Sequence, residues 1–294
     1  MRIVVAYTAG GALDNMTRVI ASQLTNHWRQ PVVVENQPGS STFVGSELVA
    51  KSSPDGYTLM MTADPTMTVN PHTFKRMPYD PVRDFSPVTL VVDVPLVLVA
   101  NSSVGASNFA GLVALAKRSP GKLNYGSYGT ASPPQLVIEV LKLKSGMDIV
   151  HVSYKGGAET IPATIAGHIQ VSLASIPSVL SHAKAGRLRM LAWGGRNRSS
   201  LIPEVLTFAE QGYPEVPARS WYGIVAPAGT PRSIVSYIHR EVVEIFNDPA
   251  LRQRESIEKG FDLVLSSPDE FAAFLRGDLV NRGEAVKAAG IIPQ

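Results

Sequence analysis

Cysteine is absent from the 294 residues, which excludes disulfide bonds, catalytic thiols and cysteine-bound metals. The sequence also has no Gly-x-Gly-x-x-Gly, Walker, Gly-x-Ser-x-Gly, His-Glu-x-x-His or EF-hand pattern. No pair of histidines stands at metal-ligand spacing, so structural or surface roles are expected for all of them. The histidines are His27, His72, His151, His168, His182 and His239. We therefore expect no cofactor, no metal site and no catalytic activity.

Long apolar runs and clustered positive charges are absent as well. The longest apolar stretch, residues 88–100, is interrupted by Asp93 and Pro95 and is too short to cross a bilayer. The 27 Lys and Arg residues give a formal charge of +3 against 24 Asp and Glu residues, but they are scattered, so we expect no nucleic-acid partner. No signal peptide is visible, so the protein is either cytoplasmic or has lost a targeting segment.

What is present is an alternation of buried strands and amphipathic helices. Residues 2–7, 32–35 and 58–62 are apolar runs separated by helical patterns, which predicts a βαβαβ unit with parallel strands. Helices and strands alternate again between residues 107 and 193 and predict a second α/β unit. Capped helices are predicted to begin near Thr230 and Ser267. Length and pattern together indicate two domains.

Glycine- and hydroxyl-rich turns follow four of the predicted strands, at the edge where open α/β sheets bind ligands. They cover residues 8–14, 62–66, 126–132 and 154–157. Glycine lets a ligand approach the backbone, and unpaired N–H groups at the following helix N-termini attract anions. The candidate ligand-binding residues in these turns are Thr8, Ala9, Gly10, Gly11, Asp14, Ala63, Ser127, Gly129, Thr130, Ser132, Tyr154 and Gly156.

Each of these turns also has a plainer interpretation. A single such turn is more often a simple connection, whereas four at equivalent strand ends favour a binding cleft. Asp14 either completes the start of its helix, or holds the loop, or meets an amine of the ligand. Lys155 is either a cation for the ligand or an exposed loop lysine.

Several of these segments also resemble a known family, in order and over practically the whole chain. The motifs are Arg2-Ile3-Val4-Val5 with Gly10-Gly11 and Asp14, Val34-Glu35-Asn36-Gln37-Pro38-Gly39, Ser53-Pro54-Asp55-Gly56-Tyr57-Thr58-Leu59, Tyr125-Gly126-Ser127 with Gly129, Tyr154-Lys155-Gly156-Gly157, Trp221, and Ala226-Pro227-Ala228-Gly229-Thr230-Pro231. They resemble the tripartite tricarboxylate transporter substrate-binding proteins, the Bug family.

The resemblance implies an α/β, two-lobed periplasmic-binding-protein (Venus flytrap) fold, with a mostly parallel sheet flanked by helices in each lobe. It implies that residues 1–100 and 222–294 form the first lobe, residues 101–221 the second, with the ligand cleft between them. It further implies a monomeric periplasmic receptor that binds a small carboxylate through loop amides and hydroxyls and feeds a membrane permease of two subunits. The missing signal peptide would then have been removed.

The sequence departs from the family pattern at three places. Thr8 and Ala9 stand where the first loop usually carries proline, and Gln135 stands where histidine is common. Ala174 stands where several members carry an acid that would face a ligand's ammonium group. We therefore include Ala174 among the candidate ligand-binding residues and expect a carboxylate without a free amine.

Two other functions remain open on the sequence alone. A sensory module would bind a similar ligand and report its occupancy to a kinase or regulator, although no helix-turn-helix is visible at either end. An enzyme of Rossmann-like fold would need a nucleophile–base pair or a metal cluster, and Asp14 with Lys155 makes only a weak acid–base pair.

Overall fold

The computed structural model has two lobes, each built around a central sheet. The structure describes residues 1–129, 131–154, 157–214, 216 and 218–294. In these residues the strands are β1 (Arg2–Val5), β2 (Val33–Asn36), β3 (Thr58–Ala63), β4 (Phe85–Pro95), β5 (Val97–Asn101), β6 (Asn124–Ser127), β7 (Val150–Ser153), β8 (Val171–Ala174), β9 (Leu188–Trp193), β10 (Arg219–Pro227) and β11 (Asp262–Leu263). The α-helices are α1 (Ala12–Trp28), α2 (Phe43–Ala50), α3 (Asn70–Thr73), α4 (Phe109–Arg118), α5 (Pro133–Ser145), α6 (Gly157–Ile165), α7 (Ile176–Lys184), α8 (Arg232–Ile245), α9 (Pro249–Glu255) and α10 (Pro268–Ala288). Short 3-10 turns cover Ser40–Thr42, Ser102–Val104 and Ile257–Lys259, and a π-helical turn covers Pro65–Val69.

The first sheet has the strand order β11–β4–β10–β3–β1–β2. Strand β1 runs parallel to β2 and β3, with Ile3 opposite Val34 on one side and Leu59 on the other. This confirms the predicted βαβαβ unit. Strand β10 is antiparallel to β3 and β4, and β11 is antiparallel to β4. The sheet is therefore mixed rather than mostly parallel, because the chain leaves this lobe along β4 and returns along β10 in the opposite direction.

The second sheet has the strand order β7–β6–β8–β5–β9. Strand β6 is parallel to β7 and β8, as the second predicted α/β unit requires. Strand β5 is antiparallel to both β8 and β9, because it enters directly from the first lobe. This sheet is mixed for the same reason as the first.

The chain crosses between the sheets at Leu96 and at Ala218, and the two crossings are hydrogen-bonded to each other. The Leu96 amide donates to the Ala218 carbonyl oxygen, and the Gly194 amide donates to the Leu96 carbonyl oxygen, both at 2.9 Å. A Cβ atom at Gly194 would lie 1.9 Å from the Ala218 carbonyl oxygen, so glycine is required there. The crossings were expected near Ala100 and Tyr222. They lie earlier because β5 pairs in the second sheet directly after β4 ends.

Helices cover both faces of the first sheet and bury its apolar side chains. Ile20 of α1 and Ile238 of α8 share one apolar cluster, while Val49 of α2 and Phe271 of α10 belong to another. Strand β2 lies at the sheet edge with Val33 58 % exposed, although its apolar sequence predicted a buried strand. Among the described residues, no helix has both the length and the hydrophobicity that a membrane crossing requires.

The two C-terminal helices begin in different ways. Helix α10 starts with the predicted capping box, in which Ser267 Oγ accepts from the Glu270 amide at 3.3 Å and Glu270 Oε2 accepts from the Ser267 amide at 2.8 Å. Thr230 was expected to cap α8, but its hydroxyl donates to the Pro227 carbonyl oxygen at 2.7 Å and Pro231 occupies the N-cap position. The Thr230 hydroxyl therefore stabilises the preceding turn rather than the helix.

A buried ion cluster joins α10 to the strands at the crossing. Arg282 of α10 is 1 % exposed, and its Nη2 atom lies 3.0 Å from the Arg219 carbonyl oxygen and 3.1 Å from Asp64 Oδ2. Asp278, one turn earlier in α10, lies 3.4 Å from Arg282 Nε and accepts a hydrogen bond from Trp221 Nε1 at 2.9 Å. The cluster therefore fixes the end of β3, the start of β10 and the C-terminal helix relative to one another.

Asp64 is completely buried between the end of β3 and the π-helical turn. Burial raises the pKa of Asp64 to about 6, although Arg282 and a hydrogen bond from Ser220 Oγ favour the charged form. Because this pKa exceeds the unfolded value, the folded protein holds a proton on Asp64 more tightly than the unfolded chain does. Ionisation of Asp64 therefore destabilises the folded protein at pH values above the folded pKa of Asp64. This destabilisation disappears as the pH falls toward about 4.

Replacing Arg282 by Met is expected to cost about 3–5 kcal/mol of unfolding free energy at neutral pH, because it leaves the buried Asp64 carboxylate and the half-buried Asp278 carboxylate without a cation. The loss should shrink near pH 5, where Asp64 takes up a proton. Chemical denaturation at both pH values measures it. Arg232→Met is the matched control, because Arg232 pairs with Asp269 of the same helix but both side chains are exposed, so about 1 kcal/mol or less is expected. Equal losses in the two variants would contradict the assignment.

Candidate functional site

A cavity of about 640 Å³ lies between the two lobes, at the carboxyl ends of the strands. It brings together three of the four turns predicted from the sequence, those that follow β1, β3 and β6. The described residues that line it include no charged side chain. Those that carry a hydroxyl or amide group are Tyr7, Thr8, Ser41, Thr42, Asn70, Thr73, Tyr128, Ser132 and Gln294. The volume and the mixture of apolar and neutral polar groups suit a small organic ligand.

A network of hydroxyl groups holds the first-lobe wall of this cavity. Thr66 Oγ1 donates to Thr42 Oγ1 at 3.0 Å. The Tyr7 hydroxyl lies 3.0 Å from Thr66 Oγ1. Because the Thr66 proton is already used, Tyr7 donates to Thr66. Asn70 Nδ2 donates to the Ser41 carbonyl oxygen at 2.8 Å. Ser41 and Thr42 have φ angles of 56° and 77°, a left-handed conformation that is costly for residues other than glycine. The hydroxyl network and Asn70 stabilise this strained turn.

Asp14 lies beneath the turn that precedes α1 and is 1 % exposed. Its carboxylate accepts hydrogen bonds from the Gly10 amide at 2.8 Å, Arg18 Nε at 2.9 Å and Asn36 Nδ2 at 2.9 Å. Burial raises the pKa of Asp14, but the hydrogen bonds outweigh burial and hold the pKa below its ordinary value. Of the alternatives that the sequence left open, the structure favours the one in which Asp14 holds the loop, since both oxygen atoms are engaged.

The turn between β6 and α5 is shaped by donors to the carbonyl oxygen of Gly129. This oxygen accepts from Ser127 Oγ at 3.0 Å, from Ser132 Oγ at 2.8 Å and from the Ser132 amide at 3.3 Å. Because protein donors occupy the Gly129 carbonyl oxygen, this oxygen repels an anion in the cavity less strongly. Ala131 has a φ angle of 61°, and its amide donates to Gln135 Oε1 at 2.6 Å. Gln135 therefore stabilises a residue in a strained conformation.

Helix α5 offers fewer free N–H groups than the sequence analysis expected. Its first two residues are Pro133 and Pro134, which have no N–H group. The Leu136 amide already donates to the Ser132 carbonyl oxygen at 3.1 Å. Helix α1 has no proline in its first turn and follows the exposed residues 8–12. Of these two helices, α1 is the one whose unpaired first-turn N–H groups suit an anion.

The predicted site residues reach the cavity to different extents. Thr8 and Ser132 line it. The other exposed or half-buried candidates are Ala9, Gly10, Gly11, Gly129 and Tyr154. The buried candidates are Asp14, Ala63, Ser127 and Ala174. Ala63 and Ala174 pack in the apolar clusters of their lobes and do not line this cavity. Thr130, Gly156 and Lys155 lie outside the described residues.

Several residues that line the cavity are not among the candidates predicted from the sequence. Tyr128 lies inside a turn that was identified, so its position after a strand was a usable signal. Burial raises the pKa of both Tyr7 and Tyr128, so each phenol keeps its proton. Asn70 and Ile291 come from segments distant in the chain, and no local pattern marks them as cavity residues.

A second crevice of about 850 Å³ is lined by β4, β11 and the segment that follows β9. Its charged residues are Asp93, Arg196, Arg198, Asp262 and Glu270. Because charges of both signs line it, it fits an anion less well than the neutral cavity does. Within the part of the chain that the structure describes, no three His, Asp or Glu side chains form a group that could hold a metal ion.

Comparison with known proteins gives relatives over nearly the full length of the chain. Residues 16–291 match the tripartite tricarboxylate transporter family receptor. BugT of Bordetella pertussis is 32 % identical over 291 residues, which cover 99 % of this chain and 89 % of BugT. The structure of R. palustris Rpa4515 with adipate has a TM-score of 0.87 at 29 % identity and covers 100 % of this chain and 98 % of that chain. The periplasmic binding protein BugD has a TM-score of 0.83 at 25 % identity, with 100 % and 98 % covered.

These matches confirm the resemblance seen in the sequence motifs and the two-lobed fold. Of these two similar structures, BugD is a periplasmic binding protein and Rpa4515 was solved with adipate. The arrangement of the two mixed sheets and the cavity between them agrees with that fold. The chain therefore belongs to the family of tripartite tricarboxylate transporter receptors.

Proposed function

We propose that the chain is an extracytoplasmic solute receptor that binds a small carboxylate between its lobes and delivers it to a membrane permease. The observation that carries the proposal is the cavity between the lobes, whose described lining combines apolar side chains with neutral polar ones and has no charged side chain. Hydroxyl and N–H donors hold a carboxylate without a bound cation, especially beside an unpaired helix N-terminus. The relative Rpa4515, solved with the dicarboxylate adipate, supports a ligand of this class.

The first-turn N–H groups of α1 and the hydroxyls of Thr8 and Tyr128 are the proposed donors. Thr8 and Tyr128 come from different lobes and line the same cavity, so one carboxylate bridges them. Ligand binding then favours the closed arrangement of the lobes, since only that arrangement places both sets of donors around it. We expect micromolar affinity, about −8 kcal/mol, which lets the receptor release its ligand.

The ligand is proposed to carry no free amine. An ammonium group in a closed site needs a carboxylate partner, and a buried cation without one costs several kcal/mol. Asp14 already engages both of its oxygen atoms with protein donors. Ala174, where an acid would stand in several relatives, packs in the apolar cluster of Val97, Ile161 and Val179. Neither residue offers the partner that an amino acid requires.

The cellular setting is part of the same proposal. We place the receptor in the periplasm as a monomer, with a permease of two membrane subunits as its partner. The family match supports this setting. A sensory role would use the same ligand site, and growth of a permease-deletion strain on the identified carboxylate distinguishes transport from signalling.

Titration calorimetry with pairs of acids that differ only by an amine tests the ligand class. The pairs are succinate and aspartate, glutarate and glutamate, and adipate and 2-aminoadipate. The amine-free member of the best pair is expected to bind at least about tenfold more tightly, because the unpaired ammonium is costly. A ligand at about a hundred times its dissociation constant should also stabilise the fold by roughly 2.7 kcal/mol. An amino acid as the tightest ligand would show that Asp14 is misassigned, and binding by none of the six would refute the carboxylate proposal.

Gly10→Val is expected to weaken carboxylate binding by about tenfold or more, because valine is strained in the left-handed conformation at a φ angle of 86°. That strain moves the Gly10 amide away from Asp14 and distorts the turn before α1. Gly212→Val is the matched control, since Gly212 has a φ angle of 89° and, like Gly10, open space around its Cβ position. Its segment contributes no residue to the cavity lining, whereas the turn of Gly10 contributes Thr8, so in Gly212→Val stability should fall while affinity stays unchanged. Titration calorimetry measures the affinity of both variants for the carboxylate. If Gly10→Val and Gly212→Val bind it equally tightly, the turn before α1 is not part of the site.

A further inference from the structure

Behind the turn between β6 and α5, a chain of side chains links two backbone groups of that turn. The Ala131 amide donates to Gln135 Oε1 at 2.6 Å, and Gln135 Nε2 lies 3.4 Å from Nδ1 of His151. Nε2 of His151 lies 2.7 Å from Ser127 Oγ, which donates to the Gly129 carbonyl oxygen at 3.0 Å. Ser127 is fully buried and Gln135 is 8 % exposed, so water competes little for these bonds.

The direction of every hydrogen bond in this series of side chains follows from the backbone groups at its two ends. The Ala131 amide can only donate, so Gln135 turns its carbonyl oxygen to Ala131 and its NH₂ group to His151. Nδ1 of His151 must then accept and carries no proton. The neutral imidazole therefore has its proton on Nε2, which donates to Ser127 Oγ and leaves the Ser127 proton for Gly129.

A protonated His151 is incompatible with this series of hydrogen bonds. A proton on Nδ1 would face the NH₂ group of Gln135, so two donors would oppose each other. Gln135 would have to rotate, and its Oε1 atom would leave the Ala131 amide. Because Ala131 is held in a left-handed conformation at a φ angle of 61°, losing this hydrogen bond lets the turn relax.

The surroundings of His151 favour the neutral form. Burial lowers the pKa of His151, while Glu139 raises it and Lys142 lowers it. Glu139 and Lys142 of α5 form an ion pair at 2.9 Å, so their opposite charges largely offset each other at the ring. Tyr125 of β6 lies with its ring 5.0 Å from the imidazole and donates its hydroxyl to Glu139 at 2.6 Å. Among the described residues, Glu139 and Lys142 are thus the charged groups that shift the pKa of His151, and Tyr125 packs against its ring.

We infer that His151 and Gln135 are positioning residues for the carboxylate-binding turn, and that tight binding requires a neutral His151. Protonation of His151 rotates Gln135, releases Ala131 and weakens binding, so affinity falls in acid. The effect on affinity rests on the proposed function, because the turn is taken to contact the ligand. The hydrogen-bond chain itself does not depend on that proposal.

NMR spectroscopy of the ligand-free protein tests the chain itself. With nitrogen-15 in the imidazole rings, His151 is expected as the Nε2–H tautomer near neutral pH, and the amide signal of Ala131 should shift as His151 titrates. In Gln135→Leu the Ala131 signal should no longer follow His151. His168→Gln changes an exposed histidine of the same lobe and, as the control, should leave the Ala131 titration unchanged. An Nδ1–H tautomer, or an Ala131 signal that ignores His151, would overturn the inference.

Calorimetry with adipate as the probe tests the consequence for binding. Acid also protonates adipate, so each variant is compared with the unmodified protein at the same pH. Gln135→Glu is the decisive variant, because a carboxylate can accept from the Ala131 amide and from a protonated His151 at once. From neutral pH to a pH below the His151 titration midpoint located by NMR, the affinity ratio should shift about tenfold in favour of Gln135→Glu, the worth of roughly one hydrogen bond. Gln135→Leu should bind weakly at both pH values.

The two experiments separate a failure of this inference from a failure of the proposed function. If neither adipate nor shorter dicarboxylates bind while the NMR signals show the chain, the ligand class is wrong and the positioning of the turn stands. If adipate binds but the affinity ratio between Gln135→Glu and the unmodified protein is the same at both pH values, the positioning role is wrong and the receptor function is unaffected.

Discussion

The buried ion pair of Asp64 and Arg282, with 3.1 Å between Oδ2 and Nη2, fixes the frame on which the cavity is built. Arg282 also donates to the carbonyl oxygen of Arg219, directly after the second crossing between the lobes. One side chain of the last helix therefore sets the end of β3 and the start of β10 together. Such a pair adds little net stability compared with apolar packing, but breaking it is costly, so it specifies an arrangement. That arrangement places the π-helical turn Pro65–Val69 against the cavity.

Both lobes hold their cavity turns from behind with side chains whose hydrogen bonds are already satisfied. Asp14 does so for the turn before α1, and Gln135 with Ser127 does so for the turn before α5. These turns are therefore already ordered before the ligand binds, so the conformational entropy lost in ordering them does not weaken binding. Charged side chains remain in supporting positions, and the described cavity wall presents neutral donors.

The sequence predicted the elements well because their signals are local. The strand at residues 171–174 and the capping box at Ser267 appear as predicted, since period and capping residues act within a few positions. Mixed sheets and the exposed edge strand β2 were not predicted, because they depend on which strands become neighbours after the chain crosses between lobes. The loops of the site were located by their glycines. The groups that hold them, Arg282 and His151 among them, come from distant segments and follow no local pattern.

A crystal structure of the complex with adipate tests most directly whether neutral donors of both lobes hold a carboxylate. The account predicts one carboxylate group in the cavity between the lobes, within hydrogen-bond distance of the amides at the start of α1 and of the Tyr128 hydroxyl. No arginine or lysine side chain should contact that group. Adipate bound instead in the charged crevice beside Arg196, or paired with a cationic side chain in the cavity, would contradict the account.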